Sequence, residues 1–364
     1  MPDIQDKIQD IKESKLHSFK LVDFFCGAGG MSCGFSQAGV TILGGIDIEK
    51  QFEKTYKKNN RGAKFINKDI TKYKPEKLQK TLKIEKFDDK LIFIGCSPCQ
   101  YWSKINTMKH SSSYTKNLIA DFQRFIKFFM PGNIVVENVP GLINAKNNHV
   151  LLGFLDFLIF NGYKYEFRVI RTDQYGVPQR RKRFVLIASR TADKINFPEP
   201  IDDPNLTVRN YIGEHNGFPK IPDGHKDNST FLHTTSLLSP FNKRRIKMTP
   251  LDGGTREVWK DDKELQINAY KGEGKDKDFK TIYGRLFWDK PASTITTRFI
   301  ATSCGRFSHP DEDRGLSLRE GATLQTFPKK YKFVGGLVSV AKQIGNAVPP
   351  EMARRIALSI IGNN

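Results

Sequence analysis

Short apolar runs alternate with segments of helical periodicity along the first half of the chain. The apolar runs predict β-strands at residues 20–25, 41–46, 91–94, 133–137 and 183–189. Residues 118–129 and 150–160 repeat apolar side chains at helical spacing, which predicts two core-facing helices. This alternation is typical of an α/β fold with a doubly wound, mostly parallel sheet.

The pattern changes after residue 190. Residues 191–334 are rich in Pro, Gly, Asp and Lys and contain only short apolar runs, which predicts a smaller, loop-rich domain. Helical periodicity returns over residues 338–361. We therefore predict a large domain at 1–190, a smaller domain at 191–334, and a C-terminal segment at 335–364 that returns to the large domain.

The composition is that of a globular chain with a strong positive charge. Of 364 residues, 38% are hydrophobic, and the five cysteines show no regular spacing, which favours a reducing compartment. The sequence shows no signal-peptide pattern and no apolar stretch long enough for a bilayer, so we expect a soluble, intracellular protein. The net charge of +20 indicates a polyanionic partner, with nucleic acid favoured over an anionic membrane.

A reactive thiol is predicted directly after the strand at 91–94. Cys99 lies in the turn Gly95-Cys96-Ser97-Pro98-Cys99-Gln100, and such turns present chemistry at the carboxyl edge of open α/β sheets. Cys96 and Cys99 also form a C-x-x-C pair. The scattered positions of the other cysteines disfavour a zinc site, and we predict no metal. From the turn alone, a redox pair or buried thiols remain about as probable as a nucleophile.

A glycine-rich turn follows the first predicted strand and favours a nucleotide-like cofactor. Residues 23–30 read Asp-Phe-Phe-Cys-Gly-Ala-Gly-Gly, which lets a ligand approach the backbone closely. The third glycine of a dinucleotide fingerprint is replaced by Ser32, which weakens a pyrophosphate interpretation. Asp47 is placed to accept from ribose hydroxyls and Ile48 to pack on an adenine. These features favour a nucleoside without a diphosphate, namely S-adenosylmethionine.

Five motifs in order resemble the cytosine-5 DNA methyltransferase family, from residue 21 to the last helix. In this sequence, residues 23–30 are similar to the family's cofactor loop and residues 97–100 to its nucleophile loop. Residues 137–139 are similar to the base-binding strand end, 174–183 to the arginine motif and 343–350 to the closing Gly-Asn motif. Ser97 departs from the family, which often has a Pro there. The departure leaves Cys99 in place.

The resemblance implies a catalytic role for four residues. The Cys99 thiolate adds to C6 of cytosine so that C5 can attack a sulfonium methyl. Glu137 then provides a proton or hydrogen bond at N3 of the ring, and Arg183 provides a cation at O2. Arg181 assists positioning and contacts phosphate. A stacked base cannot be reached, so the cytosine is flipped out of the duplex, and the loop at 101–116 closes over the DNA.

The resemblance also implies binding residues. Those expected to hold S-adenosylmethionine are Phe25, Gly27, Ala28, Gly29, Gly30, Asp47, Ile48, Asp69, Ile70, Pro98, Leu118, Asn346 and Ala347. The domain at 191–334 is expected to read the major groove, with residues 289–298 similar to a structural motif of the family. Candidate DNA contacts are Gln100, Ser103, Arg244, Arg245, Arg256, Arg285 and Arg298, with Lys243 beside them.

We therefore expect a sequence-specific cytosine-5 DNA methyltransferase of the prokaryotic kind. By resemblance it acts as a monomer on double-stranded DNA, in restriction-modification or epigenetic marking, with a cognate restriction endonuclease as a candidate partner. One alternative is a tRNA cytosine-5 methyltransferase, but the Cys-Phe-Thr signature of that branch is not in this sequence. A second alternative is a non-catalytic DNA-binding relative, which would be expected to lose Cys99 or Glu137.

Overall fold

Seven strands form one sheet in the computed structural model, which describes residues 19–97, 118–143, 148–267 and 281–362. They are β1 (Lys20–Phe24), β2 (Thr41–Asp47), β3 (Lys64–Asn67), β4 (Leu91–Gly95), β5 (Asn133–Asn138), β6 (Lys164–Arg171) and β8 (Lys182–Ser189). Their order is β3-β2-β1-β4-β5-β8-β6, with β1 to β5 parallel and β8 antiparallel to both neighbours. The predicted α/β fold with a mostly parallel sheet is confirmed.

The strand order reverses between β1 and β4. Phe24 and Gly95, at the carboxyl ends of these two strands, are partners in the parallel register. Ligands of open α/β sheets bind outside the carboxyl ends at such a switch point. The glycine-rich loop begins there after β1, and the chain leaving β4 continues there to Cys96 and Ser97.

The described residues form the following helices: α1 (Gly30–Gln37), α2 (Glu53–Asn59), α3 (Pro75–Leu82), α4 (Leu118–Phe129), α5 (Asn148–Phe160), α6 (Pro240–Met248), α7 (Leu318–Leu324), α8 (Leu337–Asn346) and α9 (Pro350–Ile361). The two core-facing helices predicted from periodicity are confirmed as α4 and α5. Phe122 and Phe125 of α4 pack on Phe24, with ring centroids 5.0 and 5.1 Å away. Within the ranges that the structure describes, none of the helices has the length and apolar character needed to cross a membrane.

The sequence pattern did not predict β3 or β6. Both lie at the edges of the sheet. β3 has only four residues, and most side chains of β6 are half-buried or exposed, so neither strand forms a continuous apolar run. The five predicted strands are confirmed as β1, β2, β4, β5 and β8, each within one residue at either end.

The described residues divide into two compact units whose bounds differ from the predicted ones. The first unit contains the described residues of 1–171, 182–200 and 348–364. The second unit contains those of 172–181 and 201–347. Residues 172–181 belong to the second unit because β7 (Gln179–Arg180) pairs in parallel with β9 (Ala292–Ser293). Residues 335–347 belong there too, since Gln325 Nε2 donates to the Ile344 carbonyl at the end of α8.

Candidate active site

The loop after β1 depends on glycine. Gly27 and Gly29 have φ angles of 52° and 90°, and Phe25 also lies in the left-handed region at φ 61°. A Cβ at Gly27 would meet no atom within 4 Å, so this loop borders open space. The predicted cofactor residues Phe25, Gly27, Ala28, Gly29 and Gly30 therefore lie in or beside this open loop at the switch point.

Asp47, at the end of β2, is hydrogen-bonded to this loop. Its Oδ2 accepts from the Gly27 N–H at 2.8 Å, and its Oδ1 accepts from the Glu49 N–H at 2.8 Å. A carboxylate is an acceptor of the kind that ribose hydroxyls require. Ile48 beside it is 58% exposed, which leaves an apolar side chain open to an adenine face. The Asp47 carboxylate, the open loop and the exposed Ile48 side chain together fit S-adenosylmethionine.

The other predicted cofactor residues are distributed differently. Asp69 Oδ1 accepts from the Thr71 N–H at 3.0 Å and its hydroxyl at 2.8 Å, so the carboxylate shapes its own turn. Ile70 and Leu118 are buried in the hydrophobic core of the first unit. Asn346 and Ala347 end α8 in the second unit, with Asn346 exposed. Contact of these residues with the cofactor stays a prediction.

A buried pair behind the glycine loop was not predicted from the sequence. Ser32, in the position that weakened the dinucleotide fingerprint, donates from Oγ to Asp23 Oδ2 at 2.6 Å and from its N–H at 3.2 Å. Asp23 is 1% exposed, and Oδ1 has no hydrogen-bond partner among the described residues. Burial raises the pKa of Asp23 to about 7. The pair joins β1 to α1 across the loop.

Glu137 and Arg183 form an ion pair in the first unit. Arg183 Nε lies 2.7 Å from Glu137 Oε1, and the two side chains are 13% and 7% exposed. Glu137 follows Val136, which is the register partner of Gly95 at the end of β4. The two groups predicted to serve N3 and O2 of one base are therefore adjacent, close to the strand that leads to the nucleophile loop.

Asn138 connects the end of β5 to the nucleophile loop. Its Nδ2 donates to Ser97 Oγ at 3.0 Å, and its Oδ1 accepts from the Val139 N–H at 2.8 Å. Both Asn138 and Ser97 are buried. The chain is thus fixed two residues before Cys99. Four predicted site residues lie outside the described residues: Pro98, Cys99, Gln100 and Ser103.

The structure corrects the interpretation of Arg181. Its side chain is 6% exposed, and Nη1 donates to the Ile295 carbonyl at 2.9 Å and the Gly345 carbonyl at 3.2 Å. A guanidinium that is buried and bound to backbone carbonyls cannot also contact phosphate from this position. Arg181 instead links the arginine motif to two segments of the second unit.

Two predicted DNA contacts are also corrected. Arg285 is fully buried, and its guanidinium donates to the carbonyls of Thr249 and Ile246 at 3.0 and 2.9 Å, and to Asp313. Arg256 is 4% exposed. The buried Arg285 guanidinium organises this loop-rich unit by satisfying carbonyls that lack strand partners. Sequence periodicity carried no signal for their burial, since neither lies in a long helix or strand.

Three predicted DNA contacts among the described residues have side chains that are exposed or half-buried. Arg244 and Arg298 are exposed, and Arg245 is half-buried. Arg244 pairs with Glu264 at 2.7 Å, while Arg245 donates from Nε to the Leu265 carbonyl at 2.8 Å. Their contact with DNA stays a prediction.

One group of side chains in the second unit has metal-ligating types. His309, Asp311 and Glu312 bring their ligand atoms within 4.8 Å of one another. However, Arg314 donates to Glu312 Oε1 at 2.9 Å and to Glu320 Oε1 at 2.7 Å. The guanidinium already supplies the positive charge that these carboxylates require, so we assign the group a structural role.

Comparison with known families agrees with this geometry. The C-5 cytosine-specific DNA methylase family matches residues 19–362. The chain belongs to this family. It is a DNA cytosine-5 methyltransferase, whose substrate is DNA and whose family and fold imply S-adenosylmethionine as the methyl donor.

Curated relatives and solved structures resemble the methylase over nearly its whole length. The Type II methylase M.HgiDII of Herpetosiphon aurantiacus is 37% identical over 346 residues, covering 93% of this chain and 94% of the relative. The Type II methyltransferase M.Sau96I of Staphylococcus aureus is 28% identical, with 97% and 78% covered. A prophage-encoded DNA modification methyltransferase from E. coli shares the fold, with a TM-score of 0.72 at 20% identity over 95% of this chain and 99% of the other.

Proposed function

We propose that this methylase modifies one cytosine within a short duplex DNA sequence through a covalent bond between Cys99 Sγ and C6 of the base. The observation that carries the proposal is the buried ion pair between Glu137 and Arg183, next to the strand that leads to Cys99. Nucleophilic attack on a cytosine ring requires a hydrogen-bond donor at N3 and a cation at O2, which are the roles of a protonated Glu137 and of Arg183 once the base is bound.

The proposed reaction begins at C6. The Cys99 thiolate forms the Sγ–C6 bond, and the electron pair of the C5–C6 double bond makes C5 nucleophilic while charge develops on N3 and O2. Glu137, which takes up a proton when the base enters, donates a hydrogen bond to N3, and Arg183 stabilises O2. C5 would then bond to the methyl group that the cofactor supplies, as the sulfur–methyl bond breaks and a neutral thioether leaves. Loss of the C5 proton to a base and departure of the thiolate from C6 restore the aromatic ring.

Asn138 and Ser97 support the nucleophile in this scheme. Their hydrogen bond of 3.0 Å fixes the chain that continues to Cys99. Ser97 replaces the proline often found in the family, and its hydroxyl provides the acceptor that Asn138 uses. The departure from the family pattern is therefore compatible with a positioned thiol.

S-adenosylmethionine is proposed to bind at the switch point. Asp47 would hold the ribose hydroxyls, Ile48 would pack on the adenine, and the backbone of residues 25–30 would surround the rest of the molecule. The support is the open space at Gly27 and the exposure of Ile48. When bound, the cofactor supplies an electrophilic methyl group on a sulfonium.

The biological setting is proposed from the names of the relatives. Two of them are called Type II methylases or methyltransferases. We propose that this methylase acts as a cytoplasmic monomer in restriction-modification and protects host DNA from a cognate endonuclease with the same target sequence.

The covalent step can be tested with DNA in which 5-fluorocytosine replaces cytosine. Fluorine does not leave C5 as a proton does, so the Sγ–C6 bond persists after methylation. We expect a complex resistant to denaturing detergent with the wild-type enzyme and S-adenosylmethionine, none with Cys99→Ser, and an unchanged amount with the neighbouring variant Cys96→Ser. Absence of the wild-type complex, or its survival in Cys99→Ser, would overturn the proposal.

A further inference from the structure

A basic cleft in the second unit is not used by the proposed catalytic groups. It has a volume of about 380 Å³, and its lining includes Arg180, Lys290 and Arg306. No lining residue that the structure describes is acidic. Three cations around a concave surface without a carboxylate indicate an anionic ligand.

Two polar residues of the cleft lie on paired strands. Arg180 on β7 and Ser293 on β9 are partners in the parallel pair, so their side chains emerge on the same face. Thr294 Oγ1 donates to the Arg180 carbonyl at 2.8 Å and strengthens this junction. The Arg180 side chain is 62% exposed, and its Nε forms a long ion pair with Asp173 Oδ2 at 3.8 Å. Its guanidinium is therefore accessible to a ligand.

Phe287 organises the other two cations. Lys290 Nζ lies 4.1 Å and Arg306 Cζ 4.9 Å from the centroid of its ring. Among the described residues, Arg306 donates hydrogen bonds from Nη1 to the carbonyls of Gly253, Gly254 and Arg285. The guanidinium is thereby fixed, while Nε and Nη2 remain for a ligand.

Arg180 pairs with Asp173 at 3.8 Å, whereas no ion pair is found for Lys290 or Arg306 among the described residues. Asp289, which precedes Lys290, accepts from Arg209 at 2.6 and 3.0 Å. Burial lowers the pKa of the Arg306 guanidinium, which is half-buried in the cleft. A positioned and partly desolvated cation cluster is a suitable partner for phosphate oxygens.

We infer that this cleft binds backbone phosphates of the substrate DNA through Arg180, Lys290 and Arg306. The inference rests on the proposed function, because it takes the duplex as the ligand. Contacts to phosphate position a protein on DNA without reading its sequence. Arg180 is also three residues from Arg183 along the chain, so a phosphate held there would orient the segment that leads to the catalytic arginine.

The test is the salt dependence of duplex binding by Arg180→Gln/Lys290→Gln, which removes two exposed charges. The matched control is Lys226→Gln/Lys330→Gln, which removes two exposed charges of the same unit outside the cleft. Binding of a labelled duplex is measured by fluorescence anisotropy over a series of salt concentrations. Circular dichroism confirms that the variants are folded.

Two lost phosphate contacts should reduce the slope of log K against log salt by about 2, whether or not the duplex contains the target sequence. The control should change the slope by much less. An unchanged slope in the cleft variant, or an equal change in the control, would overturn the inference. If the wild-type enzyme binds and methylates DNA in that case, only the cleft is refuted; if it does neither, the proposed function fails as well.

Discussion

Arg183 Nε lies 2.7 Å from Glu137 Oε1, across the antiparallel pair of β5 and β8. Glu137 is the register partner of Val185, so Arg183 is its diagonal neighbour, two residues along β8. The sheet itself therefore brings together the two groups that a cytosine ring requires. In the free enzyme each of them is the partner of the other.

Arg183→Ala should reduce kcat strongly. Loss of a cation at O2 removes stabilisation of the developing charge, which corresponds to a decrease of about 10² to 10³. It also leaves the Glu137 carboxylate buried alone, which costs about 3–5 kcal/mol of folding free energy. Steady-state methylation and urea unfolding measure the two effects.

The matched control for this variant is Arg168→Ala. Arg168 pairs with Glu166 at 2.6 Å, but these side chains are 39% and 34% exposed. Its loss should cost no more than about 1 kcal/mol and leave kcat unchanged. Equal losses of activity in both variants would show that the buried pair has no special role.

Asp23 should lower the free energy of unfolding as the pH rises from 4 to 7. Its pKa is raised from 3.8 in the unfolded chain to about 7 in the folded protein. The folded state therefore retains a proton that the unfolded state releases over this interval, at about 1.4 kcal/mol per pKa unit. Asp23→Asn should remove that decrease and gain stability relative to the wild type as pH rises.

Urea unfolding at several pH values tests this prediction. The control is Asp193→Asn, at an exposed position of the same unit. It should leave the pH profile of the wild type intact. A constant difference between Asp23→Asn and the wild type from pH 4 to 7 would contradict the assignment of a protonated Asp23.

Ser97→Ala should slow methylation without weakening cofactor binding. The substitution removes the acceptor at 3.0 Å and leaves Asn138 Nδ2 the longer hydrogen bond to the Ser97 carbonyl at 3.4 Å, a loss of about 1 kcal/mol. We expect a decrease of about tenfold in the single-turnover rate. Ser303→Ala, at an exposed serine, is the control. A wild-type rate in Ser97→Ala would show that this hydrogen bond does not position the nucleophile.

Ile48→Ala should weaken S-adenosylmethionine binding. A lost contact with the adenine should raise Kd about tenfold, which is about 1.4 kcal/mol. Isothermal titration calorimetry measures the change. Ile159→Ala is a matched control, because these isoleucines are 58% and 60% exposed. The same Kd in wild type and Ile48→Ala would place the adenine elsewhere.

The sequence predicted the elements whose side chains face the core and missed those that do not. β4 is wholly buried and forms one apolar run, so its end and the turn that carries Cys99 could be located. β6 is an edge strand with few buried side chains, and no periodicity marked it. Motif order similarly placed Glu137 and Arg183 in one site, although their ion pair required the register of β5 and β8.

Arginine roles were the least predictable part of the site. The sequence does not reveal which of Arg180, Arg181 and Arg285 have buried side chains. In the structure Arg285 is fully buried among carbonyls, Arg181 is held by Ile295 and Gly345, and Arg180 is exposed in the basic cleft. Long-range contacts within the second unit decide these differences, and a local pattern of residues does not contain them.

The central claim is that Cys99 makes this chain a methyltransferase for one short DNA sequence. The most direct measurement is base-resolution 5-methylcytosine sequencing of DNA from a methylation-free host that expresses either the wild type or Cys99→Ser. The account predicts methylation at a single short motif with the wild type and none with the variant. Methylation that persists in Cys99→Ser, or DNA that stays unmethylated with the wild type, would contradict it.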